Sequence, residues 1–315
     1  MTYVAVKRLL DTMTFRLQYA SNLFVDSVYR PFKSILKPAA PHLALLGNIG
    51  RPESPKTYHF LKFCASNWDS VFWVPGPHEL SNVKAGRMTY KEKAKSAYAL
   101  TKQIKNIHLM ASQEAVFHES RVVLIGTPLW TPLKMYAEGQ PEFQGIYTSV
   151  DEAGPIPLCH HIRNQLHKED LNYLKERSLF WNIVHPEVNL VYLTQSLPSS
   201  HLLGMPSNNQ EWNRRALDCW QAPLDFAPRA WIGGASASTR RANLGADPEA
   251  QTVSAVNGLF SYPLSHYENP KYEPDCVLEI EPKKTSKKTP RELPRLTLPP
   301  FLSSLLEKKV SLAYA

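Results

Sequence analysis

A histidine and a carboxylate, His78 and Glu79, stand side by side at a place in the sequence suited to chemistry. They follow the apolar run Val71–Val74 and a Pro-Gly-Pro segment, a pattern that predicts a buried strand and its end. Ligands of open α/β sheets bind at the carboxyl ends of the strands, and histidine is the commonest general acid or base. His78 is therefore a candidate functional residue, although a structural histidine hydrogen-bonded within its own loop is the simpler interpretation.

Neighbouring segments are predicted to position further side chains at the same edge. Residues 15–20 alternate between apolar and polar types, and residues 42–46 are mostly apolar, so both predict strands. Helical spacing over residues 58–68 precedes strand 71–74, which predicts a parallel β-α-β crossover. The same patterns predict strands near 115–118, 121–126, 188–194, 229–233, 252–256 and 258–262, and helices at 90–107 and 166–183.

The ends of these strands resemble the motifs of the calcineurin-like metallophosphoesterases. That family reads S-D-L-H, G-D-x-G and G-N-H-E where this chain reads S-N-L-F, G-N-I-G and G-P-H-E, at residues 21–24, 47–50 and 76–79. Its motifs T-H-H-x-P-S and W-I-x-G-H-T-H correspond to residues 194–199 and 231–237. The resemblance extends from about Phe15 to Ile280. It implies a metallophosphoesterase-like four-layer α/β/β/α sandwich with two mixed sheets.

The resemblance also implies where metals would bind, and none of those positions carries an aspartate or a histidine. They are Asn22, Phe24, Asn48, Pro77, Gln195, Ala235 and Ala237. Two divalent cations held ~3.5–4 Å apart need anionic ligands between them, and a neutral amide supplies no such charge. We therefore expect no metal and no other cofactor. Because hydrolysis in the family depends on its metals, we expect a catalytically inactive protein, a pseudoenzyme in which His78 is vestigial.

Positive charge is concentrated near the C-terminal end of the chain. The net charge is +8, and residues 283–309 carry eight basic and two acidic side chains (8 − 2 = +6), which leaves 8 − 6 = +2 elsewhere. Lys, Thr, Ser and Pro dominate this segment and predict an extended chain, followed by a short apolar cluster. The side chains predicted to bind a partner are Lys283, Lys284, Lys287, Lys288, Arg291, Arg295, Phe301, Leu302, Leu305 and Leu306.

Three segments are predicted: an N-terminal arm at 1–14, a metallophosphoesterase-like domain at 15–280 with an irregular insertion at 132–163, and a basic proline-rich tail at 281–315. The predicted function is a structural or protein-interaction subunit of a larger assembly, such as a ribonucleoprotein, a membrane-bound complex or a virus particle. The alternative is a subunit that binds nucleic acid or phosphate nonspecifically through the tail. A third hypothesis is residual metal-free hydrolysis through His78.

Composition also bears on the compartment. No apolar run approaches the ~20 residues that a membrane-spanning helix needs, and the N-terminus lacks the apolar core of a signal peptide. Cysteines occur at 64, 159, 219 and 276 without metal-binding spacing, which is typical of a reduced intracellular protein. We therefore expect a cytoplasmic protein or a component of a large particle, with the mitochondrion and the virion as open alternatives.

Overall fold

Two mixed β-sheets stack face to face with helices on their outer faces in this computed structural model. The structure describes residues 14–82, 86–131, 145–197, 228–234, 239–244, 252–260 and 269–283. No helix among these residues is long and apolar enough to cross a membrane.

The first sheet carries the three strands that lead to His78 and its neighbours. Four of its strands run parallel, and a fifth, at one edge, pairs antiparallel with its neighbour. In spatial order, it consists of β13 (Val277–Ile280), β1 (Phe15–Ala20), β2 (His42–Leu46), β3 (Ser70–Val74) and β4 (Ile107–Leu109).

The second sheet also has parallel strands in its centre, but it has an antiparallel strand at both edges. Its strands, in spatial order, are β11 (Arg240–Leu244), β12 (Thr252–Val256), β10 (Ala230–Gly233), β9 (Asn189–Thr194), β6 (Val122–Thr127) and β5 (Gln113–Phe117). A separate hairpin pairs β7 (Tyr147–Asp151) with β8 (Gly154–Pro157).

Helices in the described residues lie at α1 (Phe32–Ile35), α2 (Pro55–Asn67), α3 (Pro77–Leu80), α4 (Tyr90–Lys102) and α5 (His160–Val184). The side chains of successive strand residues point to opposite faces of a sheet. Both faces of β2 are covered, so its residues are apolar on both sides. Leu43 and Leu45 pack with Phe60 of α2, whereas Ala44 packs between the sheets with Leu124. On the far side, the second sheet packs against α5. These contacts confirm the predicted α/β/β/α layering.

Most predicted elements are present, and the differences have local causes. The first two strands begin and end as predicted. Helix α4 stops at Lys102, because residues 103–106 form a turn that leads into β4. Residues 258–260 form isolated bridges and not a strand. Within the predicted irregular insertion, the described residues 145–163 contain the β7–β8 hairpin and the first turn of α5, so the prediction of irregular structure does not hold for them.

Candidate active site

The loops that follow β1, β2 and β3 meet at one edge of the first sheet. The strands are parallel neighbours, and their register pairs Ala20 with Leu45 and Leu46 with Val74. Because the three strands end side by side, residues 21–26, 47–51 and 75–79 are brought together, as expected for a ligand-binding edge.

Glu79 ties two of these loops together. Its carboxylate is fully buried and accepts hydrogen bonds from four backbone N–H groups: Gly76 at 2.7 Å, Asn48 at 2.9 Å, Ile49 at 2.5 Å and Gly50 at 3.3 Å. Burial raises the pKa of this carboxyl, while the N–H donors act in the opposite direction. Removing the acceptor would leave several buried donors without a partner, so Glu79 holds the loop that carries His78.

Two asparagines connect the same loops at their centre. Asn48 accepts a hydrogen bond from the backbone N–H of His78 at 3.0 Å through Oδ1, and its Nδ2 donates to Oδ1 of Asn22 at 3.0 Å. Both asparagines are fully buried, and their φ angles are 56° and 53°. Asparagine tolerates this left-handed conformation better than most residues, so its side chain suits both the turn and the bond.

His78, Asp26 and Arg51 form a charged cluster beside the asparagines. Nε2 of His78 lies 2.8 and 3.0 Å from the two carboxylate oxygens of Asp26, and a guanidinium nitrogen of Arg51 lies 2.9 Å from one of them. Burial tends to raise the pKa of Asp26. The hydrogen bond and charge of His78, together with the charge of Arg51, outweigh burial, and the pKa of Asp26 is lowered. The carboxylate is therefore held ionised as an acceptor for the imidazole.

Phe24 packs edge-on against His78, with ring centroids 4.8 Å apart. It is buried, as expected for a phenyl ring that cannot coordinate a metal, and it also contacts Phe260. Its φ angle of 44° is unusual for a bulky residue and costs free energy that the surrounding contacts must offset. The ring forms one wall of the space around the imidazole.

Gln195 and Pro77 are the other described positions at which the family has a metal ligand. Gln195 follows β9 of the second sheet, and its side chain packs against Gly47 and Gly76. The packing is so close that a Cβ atom added to Gly76 would lie only 3.0 Å from Cγ of Gln195. Pro77 is buried at the start of α3. The first N–H groups of a helix have no partner within the helix, so proline, which has no N–H, is well suited to this position. Both residues fill space and supply no charge. Ala235 and Ala237 lie outside the described residues.

These residues do not fit the metal pair that the family resemblance implies. No group of three or more His, Cys, Asp or Glu residues in the described part of the chain could hold a metal ion. The amide oxygens of Asn22 and Asn48 already accept hydrogen bonds from N–H donors, and Phe24 and Pro77 have no side-chain donor atom for a metal. A divalent pair would meet neutral groups in place of the anionic ligands that it needs.

Sequence reasoning missed Asp26 and Arg51, and it misjudged the partner of His78. The imidazole is not held within its own loop, because its partner Asp26 is 52 residues away in sequence. A usable signal existed, since Asp26 follows β1 and Arg51 follows β2, which are neighbouring strands of one sheet. Of the ten residues predicted to bind a partner, only Lys283 is described, and its Nζ donates to the carbonyl of Pro186 at 3.1 Å.

No protein-family model matches the chain. The uncharacterized protein L509 of Acanthamoeba polyphaga mimivirus is 28% identical over 90 residues, which cover 29% of this chain and 31% of that protein. The match thus spans about a third of that relative's length.

One solved structure shares the fold of this chain, and another aligns with it more weakly. Phosphopantetheinyl hydrolase from Mycobacterium tuberculosis aligns with 87% of this chain and 98% of its own at a TM-score of 0.55 and 13% identity. A structure titled as a 5'-nucleotidase from Staphylococcus aureus aligns with 95% of this chain and 58% of its own, at 12% identity and a TM-score of 0.37 that is too low to support an argument. The first comparison matches the predicted metallophosphoesterase-like fold.

The prediction that this chain is not an enzyme is contradicted by that comparison, because the matched protein that shares the fold is a hydrolase. The prediction treated the loss of the metal ligands as the loss of every catalytic group. The structure instead places His78 against Asp26, which also binds Arg51. At 13% identity the comparison concerns the fold, so the chemistry has to be argued from these side chains.

Proposed function

We propose that this chain hydrolyses phosphate esters at the cluster of His78, Asp26 and Arg51, without a metal pair. The observation that carries the proposal is the contact of Nε2 of His78 with both carboxylate oxygens of Asp26, at 2.8 and 3.0 Å. A buried carboxylate in this position stabilises a protonated imidazole and fixes its orientation, and both effects are needed in a general acid.

Part of the imidazole of His78 remains accessible to a substrate. The side chain of His78 is 12% exposed and that of Asp26 is 8% exposed. Because Nε2 is engaged by Asp26, Nδ1 is the ring nitrogen that is left to meet a substrate oxygen. A positioned general acid contributes ~10²–10⁴-fold to a rate, which is well below the acceleration that two-metal catalysis supplies.

Arg51 supplies the charge that would attract a phosphate group. The guanidinium of Arg51 stays positively charged at any pH used in an assay, and it lies 2.9 Å from the carboxylate of Asp26. The Arg51 side chain is 21% exposed, and only one of its nitrogens is engaged by Asp26 in the contacts seen here. Guanidinium groups bind phosphate oxygens through paired hydrogen bonds, which would orient the ester next to the imidazole.

The reaction balances with water as the only co-substrate. Water attacks phosphorus while the bond to the leaving oxygen breaks, and His78 donates its proton to that oxygen as the alcohol leaves. The attacking water loses a proton, which returns the imidazole to its protonated form. Asp26 stays ionised throughout and stabilises the imidazolium, and Arg51 stabilises charge on the phosphoryl oxygens.

Hydrolysis of p-nitrophenyl phosphate and of bis-p-nitrophenyl phosphate tests the proposal, with each substrate assayed in EDTA and in added Mn²⁺. We expect turnover that chelation does not reduce and that His78→Asn lowers by ~10² or more. His59→Asn is the matched control, because His59 is an exposed histidine on α2. Turnover that requires Mn²⁺, or that His78→Asn leaves intact, would contradict the proposal. Absence of turnover from the parent protein on both substrates would also refute it.

A further inference from the structure

We infer that Asn48 is the positioning residue of His78, and that restoring the family's aspartate at this position restores neither a metal site nor activity. The inference rests on the proposed function of His78 and deepens it. Asparagine at residue 48 thus has a role of its own, because its amide both accepts and donates hydrogen bonds, whereas an ionised carboxylate only accepts them.

The direction of each hydrogen bond can be worked out from the backbone. The N–H of His78 is a donor, so the side-chain atom of Asn48 that faces it at 3.0 Å must be the oxygen. The other end of the Asn48 amide is then the NH₂ group, which faces Asn22 at 3.0 Å, so Asn22 must present its oxygen there. Asn48 accepts on one side and donates on the other, whereas an ionised carboxylate only accepts.

The backbone of Asn48 adds contacts to the same loops. Its N–H donates to the carboxylate of Glu79 at 2.9 Å, and its carbonyl accepts from the N–H of Phe24 at 3.0 Å. One fully buried residue therefore bonds the loop after β1 and the loop after β3, which carries His78. The position of the imidazole relative to Asp26 depends on both of those loops.

An aspartate at residue 48 would oppose this arrangement. One of its oxygens would keep the bond to the N–H of His78, but the other would face the acceptor oxygen of Asn22. The new charge would be fully buried and would lie close to the carboxylate of Glu79. Buried charges are tolerated when they are paired or coordinate a metal, and neither compensation is offered here, since Phe24 and Pro77 stand at the neighbouring ligand positions.

The same reasoning predicts an asymmetry between the two asparagines. Asn22→Asp keeps an acceptor opposite the NH₂ group of Asn48, so that bond survives. Asn48→Asp removes the donor and breaks it. The two variants add the same charge at neighbouring, equally buried positions, which makes Asn22→Asp a matched comparison. Gln113→Glu is the surface control, because Gln113 is an exposed amide on β5.

The experiment makes three measurements on these full-length variants. The first is the melting temperature with and without Mn²⁺, and the second is the metal that stays bound after incubation with Mn²⁺ and removal of free ion. The third is the NMR signals of the His78 ring. For Asn48→Asp we expect a lower Tm by ~5 °C that Mn²⁺ does not restore, no stoichiometric metal, and a shifted His78 signal. Asn22→Asp should show a smaller loss, and Gln113→Glu should show none. If Asn48→Asp does not fold while Asn22→Asp does, the asymmetry is still supported.

Kinetics add a readout that a general structural role would not change. We expect Asn48→Asp to lower kcat ~10-fold with little change in KM, and the double variant Asn48→Asp/His78→Asn to be no slower than His78→Asn alone. Metal uptake with a rise in Tm or activity in Asn48→Asp would overturn the inference, as would equal losses in the two asparagine variants. If the parent protein shows no turnover, the proposed function fails, but Tm, metal content and NMR still decide the role of Asn48.

Discussion

Replacing Asp26 by asparagine tests whether the carboxylate organises the cluster. The change keeps the shape of the side chain but removes the charge, and it can place an NH₂ group against the donors of His78 and Arg51. The carboxylate is 8% exposed and receives bonds of 2.8 and 3.0 Å from His78 and one of 2.9 Å from Arg51.

The magnitude follows from how much of the cluster is buried. Breaking a fully buried ion pair by removing one partner costs ~3–5 kcal/mol, whereas exposed pairs contribute ~0–1 kcal/mol. Arg51 and His78 are 21% and 12% exposed, so solvent screens part of the interaction. We therefore expect Asp26→Asn to lower the free energy of unfolding by ~2 kcal/mol at pH 7.

The pH dependence has a definite sign. The pKa of Asp26 is lowered in the folded protein, so its contribution is fully present above the unfolded pKa of ~3.9 and is lost as pH falls through the folded value. Urea unfolding of both proteins at several pH values should therefore show a difference in the free energy of unfolding at neutral pH that narrows below about pH 4.

Asp275→Asn provides the control, because Asp275 is an exposed aspartate in the segment before β13 and should leave stability unchanged at neutral pH. Equal stability of Asp26→Asn and the parent protein at pH 7 would refute the reasoning. A gap that keeps its full size well below pH 4 would refute it as well.

Two further substitutions test other buried carboxylates: Asp170, which contacts the end of β6, and Glu79 of the candidate site. Burial raises the pKa of Asp170 to about 6, although Thr127 Oγ1 donates to it at 2.5 Å. Asp170 therefore stabilises the folded protein at low pH, and up to ~3 kcal/mol of that contribution to the free energy of unfolding is lost between pH 4 and 7. In Asp170→Asn, the free energy of unfolding measured in urea should depend less on pH over that range. An unchanged pH dependence would count against the prediction. Glu79→Gln should lower the free energy of unfolding by ~2–3 kcal/mol in thermal melts, because its NH₂ group would face N–H donors that the carboxylate now accepts. A neutral result would show that Glu79 does not hold the two loops together.

Much of the fold could be predicted because its signals are local. The buried strand 42–46 is mostly apolar because both of its faces are covered, and the hairpin of β5 and β6 follows from two apolar runs separated by a short polar turn. The end of α4 could not be read from apolar spacing, because Ile104 and Ile107 continue the spacing into a turn and a strand.

Some features of the candidate site could likewise be predicted from the sequence, and others could not. The place of His78 at a strand end, and the absence of acidic or imidazole ligands at Asn22, Phe24 and Asn48, were legible in the sequence. The conclusion that no catalysis remains did not follow, because it was drawn from the missing ligands alone. It did not ask which side chains the fold brings to the imidazole.

By itself, the sequence determined the layered α/β architecture, since that depends on residue types within a few positions of one another. The ligand-binding edge and the loss of a charged metal site stay predictions from the same kind of local pattern. Only the tertiary structure decided that His78 meets Asp26, that Asp26 also binds Arg51, and that Asn48 accepts from one loop while donating to another. Those contacts join residues from loops that follow separate strands, and the two asparagines in them have left-handed backbone angles. Sequence patterns report which face of a strand is buried, but the pairing of polar groups depends on where loops converge in space.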